Sequence, residues 1–109
     1  MNIYALSTGR GPAGIAIVRL SGENIIPICK NITKLDNIIS NQVNFCKLYD
    51  LKNNNIIDPE SVLLLFQKPN SYTGEDLVEF HIHGSNSIIN SLLRVLSEQD
   101  NCRLAEPGE

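Results

Sequence analysis

Short apolar runs, a stretch rich in β-branched residues and one stretch of alternating apolar and polar residues predict β-strands along the chain. The predicted strands cover residues 3–6, 15–20, 45–51, 61–66 and 77–83, and a further strand is predicted to begin at Arg103. Asn-rich and Gly-rich segments separate them, as at residues 52–55, where Lys-Asn-Asn-Asn predicts a turn. In the last full strand, even-numbered residues are apolar and are expected to face the core.

Apolar residues recur at helical spacing in two other segments. The first predicted helix is capped by Ser21-Gly22 and runs through about Lys34, with Pro27 tolerable only in its first turn. The second is capped by Ser85 or Asn86. The predicted buried faces are Ile25, Ile28 or Cys29, and Ile32 in the first helix, and Ile88, Ile89, Leu92, Leu93 and Leu96 in the second. Strands and helices together predict an α+β fold, a mixed sheet with two main helices.

Composition limits the classes of protein that fit this pattern. A chain of 109 residues accommodates one domain, and the 42% hydrophobic content suits an ordinary water-exposed globular unit. The formal net charge of -3 disfavours nucleic acid as a direct partner. The three cysteines form no CxxC pair and are expected to be free thiols, and no targeting or membrane-spanning segment is apparent, so a cytoplasmic location with no membrane partner is expected. Residues 36–58 look structurally permissive and carry no recognisable chemistry.

A glycine-rich segment at residues 9–14, GRGPAG, matches the GxGxxG pattern of dinucleotide-binding loops. Such a loop must open a helix whose amide groups face the pyrophosphate, whereas the residues that follow, Ile15 to Val18, predict a strand. The sequence therefore favours a strand-to-strand turn, which can still present backbone amides to a carboxylate.

Four charged or titratable side chains stand out on the predicted strands. Arg19 shares a strand face with Ile15 and Ile17 and needs an anionic partner, either a protein carboxylate or a ligand. Glu79, His81 and His83 share the non-core face of their strand.

Three chemistries are open for these side chains and for Tyr72. His81 and His83 have a spacing that allows two imidazoles to converge on a metal ion, although no third ligand is clear, and no metal is expected. His83 with Glu79 is a possible acid–base pair, but no nucleophile or reacting substrate is identified. Tyr72, in a polar turn predicted at residues 69–74, can stack on a planar heterocycle or pack over its own turn.

Four segments in order carry a resemblance to a known family. They are residues 14–22 (GIAIVRLSG), 69–76 (PNSYTGED), 79–84 (EFHIHG) and 103–109 (RLAEPGE). Together they resemble the amino-terminal domain of bacterial tRNA modification GTPases of the MnmE (TrmE) family. The resemblance spans nearly the whole chain, residues 1–109, as a single domain, is weakest in the Asn-rich middle, and departs at Ser85, where the family usually has a second glycine.

The resemblance implies a fold like the tetrahydrofolate-binding domain of aminomethyltransferases, a homodimer through this domain, and a 5-formyl-tetrahydrofolate site near the dimer interface. The family uses that folate as a one-carbon source to modify the wobble uridine of tRNA, together with the flavoprotein MnmG (GidA). Carried over by position, the folate-contacting residues are Arg19 and Glu79, and no catalytic residue is assigned.

The resemblance also implies what lies outside this chain. In the family, a folate-contacting lysine, a helical domain and a GTPase domain that uses GTP, Mg²⁺ and K⁺ follow the segment that ends here. The chain is therefore expected to be incomplete at its carboxy end, a fragment or truncated reading frame that alone is not an enzyme. The alternative is a structural or association fragment without folate affinity.

Overall fold

A computed structural model of the chain describes residues 1–8, 14–68 and 74–109. Its elements, in chain order, are β1 (Asn2–Leu6), β2 (Ile15–Gly22), α1 (Ile25–Thr33), β3 (Asn44–Tyr49), β4 (Ile56–Phe66), β5 (Asp76–His83), α2 (Asn86–Ser97) and β6 (Cys102–Leu104). The predicted α+β class is thus confirmed. Residues 69–73 of the predicted turn and residues 9–13 of the glycine-rich segment lie outside the described residues.

The six strands form one mixed sheet in the order β3-β4-β5-β2-β1-β6. Every neighbouring pair is antiparallel except β1 and β6, which run parallel. The central pair is β2 and β5, in which Arg19 lies directly opposite Glu79 and Val18 directly opposite Phe80. Because β1 and β2 are antiparallel neighbours, the segment between them joins two strands, as the sequence predicted.

Both helices pack against the same face of the sheet, and among the described residues no helix covers the other face, which is called the open face below. α1 lies against β2, β3 and β5, and α2 lies against β1, β4, β5 and β6. The core between the layers contains alternate residues of the central strands, among them Val18, Leu63, Phe80 and Ile82. The opposite set of residues on these strands therefore forms the open face, which holds all four side chains singled out above.

Helix α1 begins later than its sequence predicts. Ser21 and Gly22 are not its cap, because they extend β2 and pair with Leu77 and Asp76 of β5. Asn24 precedes the first helical turn and makes no side-chain capping hydrogen bond. The buried face consists of Ile25, Cys29, Ile32 and Thr33, and Pro27 occupies the first turn, as predicted.

Helix α2 begins where the sequence indicates. The Ser85 side chain accepts a hydrogen bond from the backbone N–H of Ile88 at 3.2 Å, which satisfies one of the free amide groups of the first turn. The predicted face was nearly complete but omitted Val95, which is fully buried with Leu92 and Leu96. None of the described helices is long and apolar enough to cross a membrane.

The cysteines are free thiols, as expected. Cys29 lies on the buried face of α1, where burial raises the pKa of its thiol. Cys46 and Cys102 are partly buried. A fully buried thiol of raised pKa acts as a packing group, so Cys29 contributes to the interior.

Candidate functional site

The open face of the sheet brings Arg19 and Glu79 together at its centre. The Arg19 Nε donates a hydrogen bond to the Glu79 Oε2 over 2.9 Å. Of the two side chains, that of Arg19 is 46% exposed and that of Glu79 is 9% exposed. The anionic partner that Arg19 required is therefore a protein carboxylate, and much of the guanidinium still faces solvent.

Glu79 has a second partner on its own strand. The His81 Nε2 lies 3.0 Å from the Glu79 Oε1, so each carboxylate oxygen has one polar neighbour. Burial alone raises the pKa of Glu79, but the hydrogen bonds from His81 and then Arg19 outweigh it, and the net pKa is lowered. Glu79 is thus an ionised acceptor held between two donors.

This pKa shift predicts a pH dependence of stability. Because the pKa of Glu79 in the folded chain is below its ordinary value of 4.5, its contribution is complete above that value and is lost as the pH falls through the folded pKa. We expect the free energy of unfolding of Glu79→Gln to decline less steeply than that of the wild type over this acid range. Urea titrations at a series of pH values measure the difference.

The matched control is Glu23→Gln, since Glu23 is an exposed glutamate between β2 and α1. Its profile should run parallel to that of the wild type. Equal slopes for Glu79→Gln and the wild type would contradict the pKa shift.

A groove of about 550 Å³ lies beside this pair on the open face. Its walls come from β2, β3, β4 and β5 and include Ile15, Phe45, Lys47, Val62, His81 and His83. Phe45 is 80% exposed, which is unusual for a large aromatic side chain. The volume falls in the range of roughly 300–1,000 Å³ that is usual for small-molecule sites.

A smaller recess of about 250 Å³ lies on the other side of the pair, where Arg19 lines it with Ile3, Ser21 and Leu77. Arg19 therefore faces the small recess, whereas His81 faces the groove. Glu79 contacts both side chains and links the two concavities.

The structure pairs His83 with a residue that sequence reasoning missed. The His83 Nδ1 lies 3.0 Å from the Oδ1 of Asp58, which is fully buried. The possible acid–base pair of His83 with Glu79 is not formed, since Glu79 contacts His81 and His83 contacts Asp58. Residues 36–58 were expected to carry no recognisable chemistry, but Asp58 of this segment contacts His83. The sequence feature that could have indicated its role is an aspartate directly before Pro59 inside a strand.

The imidazoles of His81 and His83 do not converge on a metal site. Each ring is held by a different carboxylate, Glu79 or Asp58. Within the part of the chain that the structure describes, no group of three or more histidine, cysteine, aspartate or glutamate side chains is arranged to hold a metal ion. Tyr72, the candidate stacking residue, lies outside the described residues.

Comparison with known proteins identifies sequences similar to this chain. The family model described as "GTP-binding protein TrmE N-terminus" matches residues 2–109. A tRNA modification GTPase MnmE from Pelagibacter ubique is 46% identical over 109 residues, which is 100% of this chain and 24% of that protein.

Two further relatives carry the same name. The protein from Brucella anthropi is 40% identical over 107 residues, with 98% of this chain and 24% of that protein covered. The protein from Anaplasma phagocytophilum is 41% identical, with 98% and 23% covered. The chain therefore spans about a quarter of the length of the curated relatives it matches.

Proposed function

This chain belongs to the TrmE amino-terminal family of tRNA modification GTPases, and we propose that it is the formyl-tetrahydrofolate-binding and dimerisation module of such an enzyme. The observation that carries the folate proposal is the meeting of Arg19 and Glu79 on the open face of the sheet. The mixed sheet with two helices is also compatible with our proposal that the fold corresponds to the folate-binding domain of aminomethyltransferases.

Arg19 and Glu79 have the chemistry that a folate requires. A carboxylate offers about four acceptor positions, and the contacts with Arg19 and His81 occupy one on each oxygen of Glu79, so further N–H donors of a pterin ring can bind. The exposed guanidinium of Arg19 can pair with a carbonyl or carboxylate group. When bound, the folate supplies a one-carbon unit, while these residues bind and orient it.

Calorimetric titration of the chain with 5-formyl-tetrahydrofolate tests this assignment. We expect Arg19→Ala and Glu79→Ala each to weaken binding by about 10- to 100-fold, because each removes a hydrogen bond to a charged group worth about 1.5–3 kcal/mol. The control is Lys30→Ala, which removes an exposed positive charge from α1 on the helical side. Affinity unchanged in both site variants would remove Arg19 and Glu79 from the site.

The dimerisation proposal is supported by the apolar groups on the open face. Phe45 and Ile15 are exposed beside the groove, and an aromatic side chain at the centre of an interface often carries much of the binding energy. A second copy of the chain packed over this face would bury both. An interface near the groove would also place the partner close to Arg19 and Glu79.

Sedimentation equilibrium tests the dimer. We expect the wild type to dimerise and Phe45→Glu to raise the dissociation constant by at least about 30-fold, as loss of roughly 2 kcal/mol at an interface centre implies. Leu51→Glu, a matched substitution of an exposed residue in the turn after β3, should dimerise like the wild type. Dimers of equal strength in wild type and Phe45→Glu would place the interface elsewhere.

The folate titration and sedimentation equilibrium together distinguish the proposed function from the alternative, a fragment that only associates. An association fragment predicts dimers, or complexes with a full-length relative, without folate affinity. The exposed Phe45 and Ile15 favour association under either proposal. Folate affinity that depends on Arg19 therefore decides between them.

The remaining functions of the family are proposals about the whole protein. We place GTP hydrolysis, with its Mg²⁺ and K⁺, in the portion of the relatives that this chain does not span. We propose that the assembled enzyme acts in the cytoplasm on the wobble uridine of tRNA with MnmG (GidA). This domain's contribution would be the folate site and the dimer contact.

A further inference from the structure

Asp58 is a fully buried carboxylate with a dense set of donors around it. Its Oδ2 accepts a hydrogen bond from the backbone N–H of His83 at 2.9 Å, and its Oδ1 accepts one from the backbone N–H of Glu60 at 3.0 Å. The ladder between β4 and β5 extends only to the pair Val62 and His81, so the Asp58 side chain takes over the role of a strand partner for His83. Pro59 lies between Asp58 and Glu60 and has no N–H to donate.

This arrangement determines the tautomer of His83. The His83 Nδ1 lies 3.0 Å from one Asp58 oxygen and 3.2 Å from the other, and a carboxylate oxygen can only accept. An ionised Asp58 therefore requires the proton on Nδ1. In the neutral imidazole, the other nitrogen, Nε2, is then left as an acceptor.

The accepting edge of His83 is available to a ligand. The side chain is 54% exposed and lines the groove, and no described residue donates a hydrogen bond to its Nε2. Ile15, Phe45 and Val62 provide apolar walls in the same groove. An imidazole acceptor beside an exposed aromatic ring suits a flat ligand that stacks on one face and donates a hydrogen bond from its edge.

We infer that the groove binds a planar heterocycle with a ring N–H, and that the His83 Nε2 accepts a hydrogen bond from that group. His83 is then a binding residue in addition to Arg19 and Glu79, and Asp58 is a positioning residue that acts through His83. This inference rests on the proposed folate function, because the reduced pterin ring of 5-formyl-tetrahydrofolate is the heterocycle to be tested.

Nitrogen NMR of the imidazoles tests the inference directly, since the chain contains only two histidines. With ¹⁵N-labelled histidine, we expect His83 in the free chain to be protonated at Nδ1 and bare at Nε2. Adding 5-formyl-tetrahydrofolate should move the Nε2 resonance upfield, as it does when this nitrogen accepts a hydrogen bond. The spectrum of His81→Gln, which retains one imidazole, assigns the signals.

Two variants complete the experiment. His83→Ala should weaken folate binding about tenfold, as loss of one hydrogen bond implies. Asp58→Asn should populate the second tautomer of His83 and weaken folate binding by less than His83→Ala does. If Asp58→Glu restores the Nδ1–H tautomer of His83, the positioning role of Asp58 is supported. If Asp58→Asn does not fold, the His83→Ala titration decides alone.

The outcomes distinguish this inference from the function on which it rests. Folate bound with unchanged His83 resonances and unchanged affinity in His83→Ala overturns the inference and leaves the Arg19 and Glu79 site standing. A free chain in which Nε2 carries the proton overturns the positioning role of Asp58. No folate binding by the wild type overturns the proposed function and this inference with it.

Discussion

Replacing Phe80 by alanine should lower the free energy of unfolding by about 3–5 kcal/mol, the usual effect of deleting a buried aromatic side chain. Phe80 leads the fully buried side chains by volume and lies on β5 directly opposite Val18 on one side and Leu63 on the other. Its removal would leave a cavity at the middle of the sheet. Since typical domains are stable by about 5–15 kcal/mol, much of the total would be lost.

Urea denaturation followed by circular dichroism measures this loss. Phe80→Leu is the matched variant, because leucine fills most of the cavity. Its loss of stability should be less than half of the loss caused by Phe80→Ala. Phe80 lies between Glu79 and His81 in the sequence, so the cavity should also loosen the site on the opposite face. A loss below about 1 kcal/mol for Phe80→Ala would contradict the close packing of this core.

Gly22→Ala should also destabilise the fold, although it adds only one methyl group. A Cβ built at Gly22 would lie 1.8 Å from the Oδ1 of Asn2 and 2.9 Å from its Cα, distances that no relaxed structure tolerates. Asn2 is buried and its backbone N–H is bonded to the Asn101 carbonyl, so it has little room to move. We expect a loss of about 1–3 kcal/mol from this overpacking, measured by thermal or urea unfolding.

Gly14→Ala is the matched control for this substitution. A Cβ at Gly14 would meet no atom within 4 Å among the described residues. Its effect should stay within about 0.5 kcal/mol, as for most exposed sites. Equal stabilities of the two variants would show that β1 can shift away from β2.

The alternation of β5 could be predicted from the sequence because the period of two residues is fixed by strand geometry. It correctly separated Val78, Phe80 and Ile82 from the three titratable side chains on the other face. The direct contact between Arg19 and Glu79 could not be predicted from this alternation. It depends on the register of β2 against β5, which is set by long-range pairing across 60 residues.

The start of α1 illustrates how tertiary pairing overrides a local signal. Ser21 and Gly22 are good capping residues, and the sequence favoured them. In the structure they continue β2, because both residues pair with β5 and Ser21 also pairs with Ile3 of β1, which satisfies backbone groups that a helix start would leave free. The helix then begins at Ile25 behind Asn24, without a side-chain cap.

Asp58 was missed because its role has no local pattern. Aspartate is common in turns, and the surrounding Asn-rich segment indicated only a turn. What makes Asp58 special is burial, together with the backbone of a strand that lies 25 residues later in the sequence. An aspartate followed by proline inside an otherwise β-forming run is the signal that could have drawn attention to it.

The open face of the sheet also makes the number of residues in β5 matter as much as their identity. Inserting or deleting one residue in the middle of this strand would reverse the parity of every position beyond it. Carboxylate and imidazole groups would then be pressed against α1 and α2, while the benzyl ring and its aliphatic neighbours turned outward. Point substitutions can therefore tune the site gradually, whereas a change of length here exchanges interior and exterior in a single step.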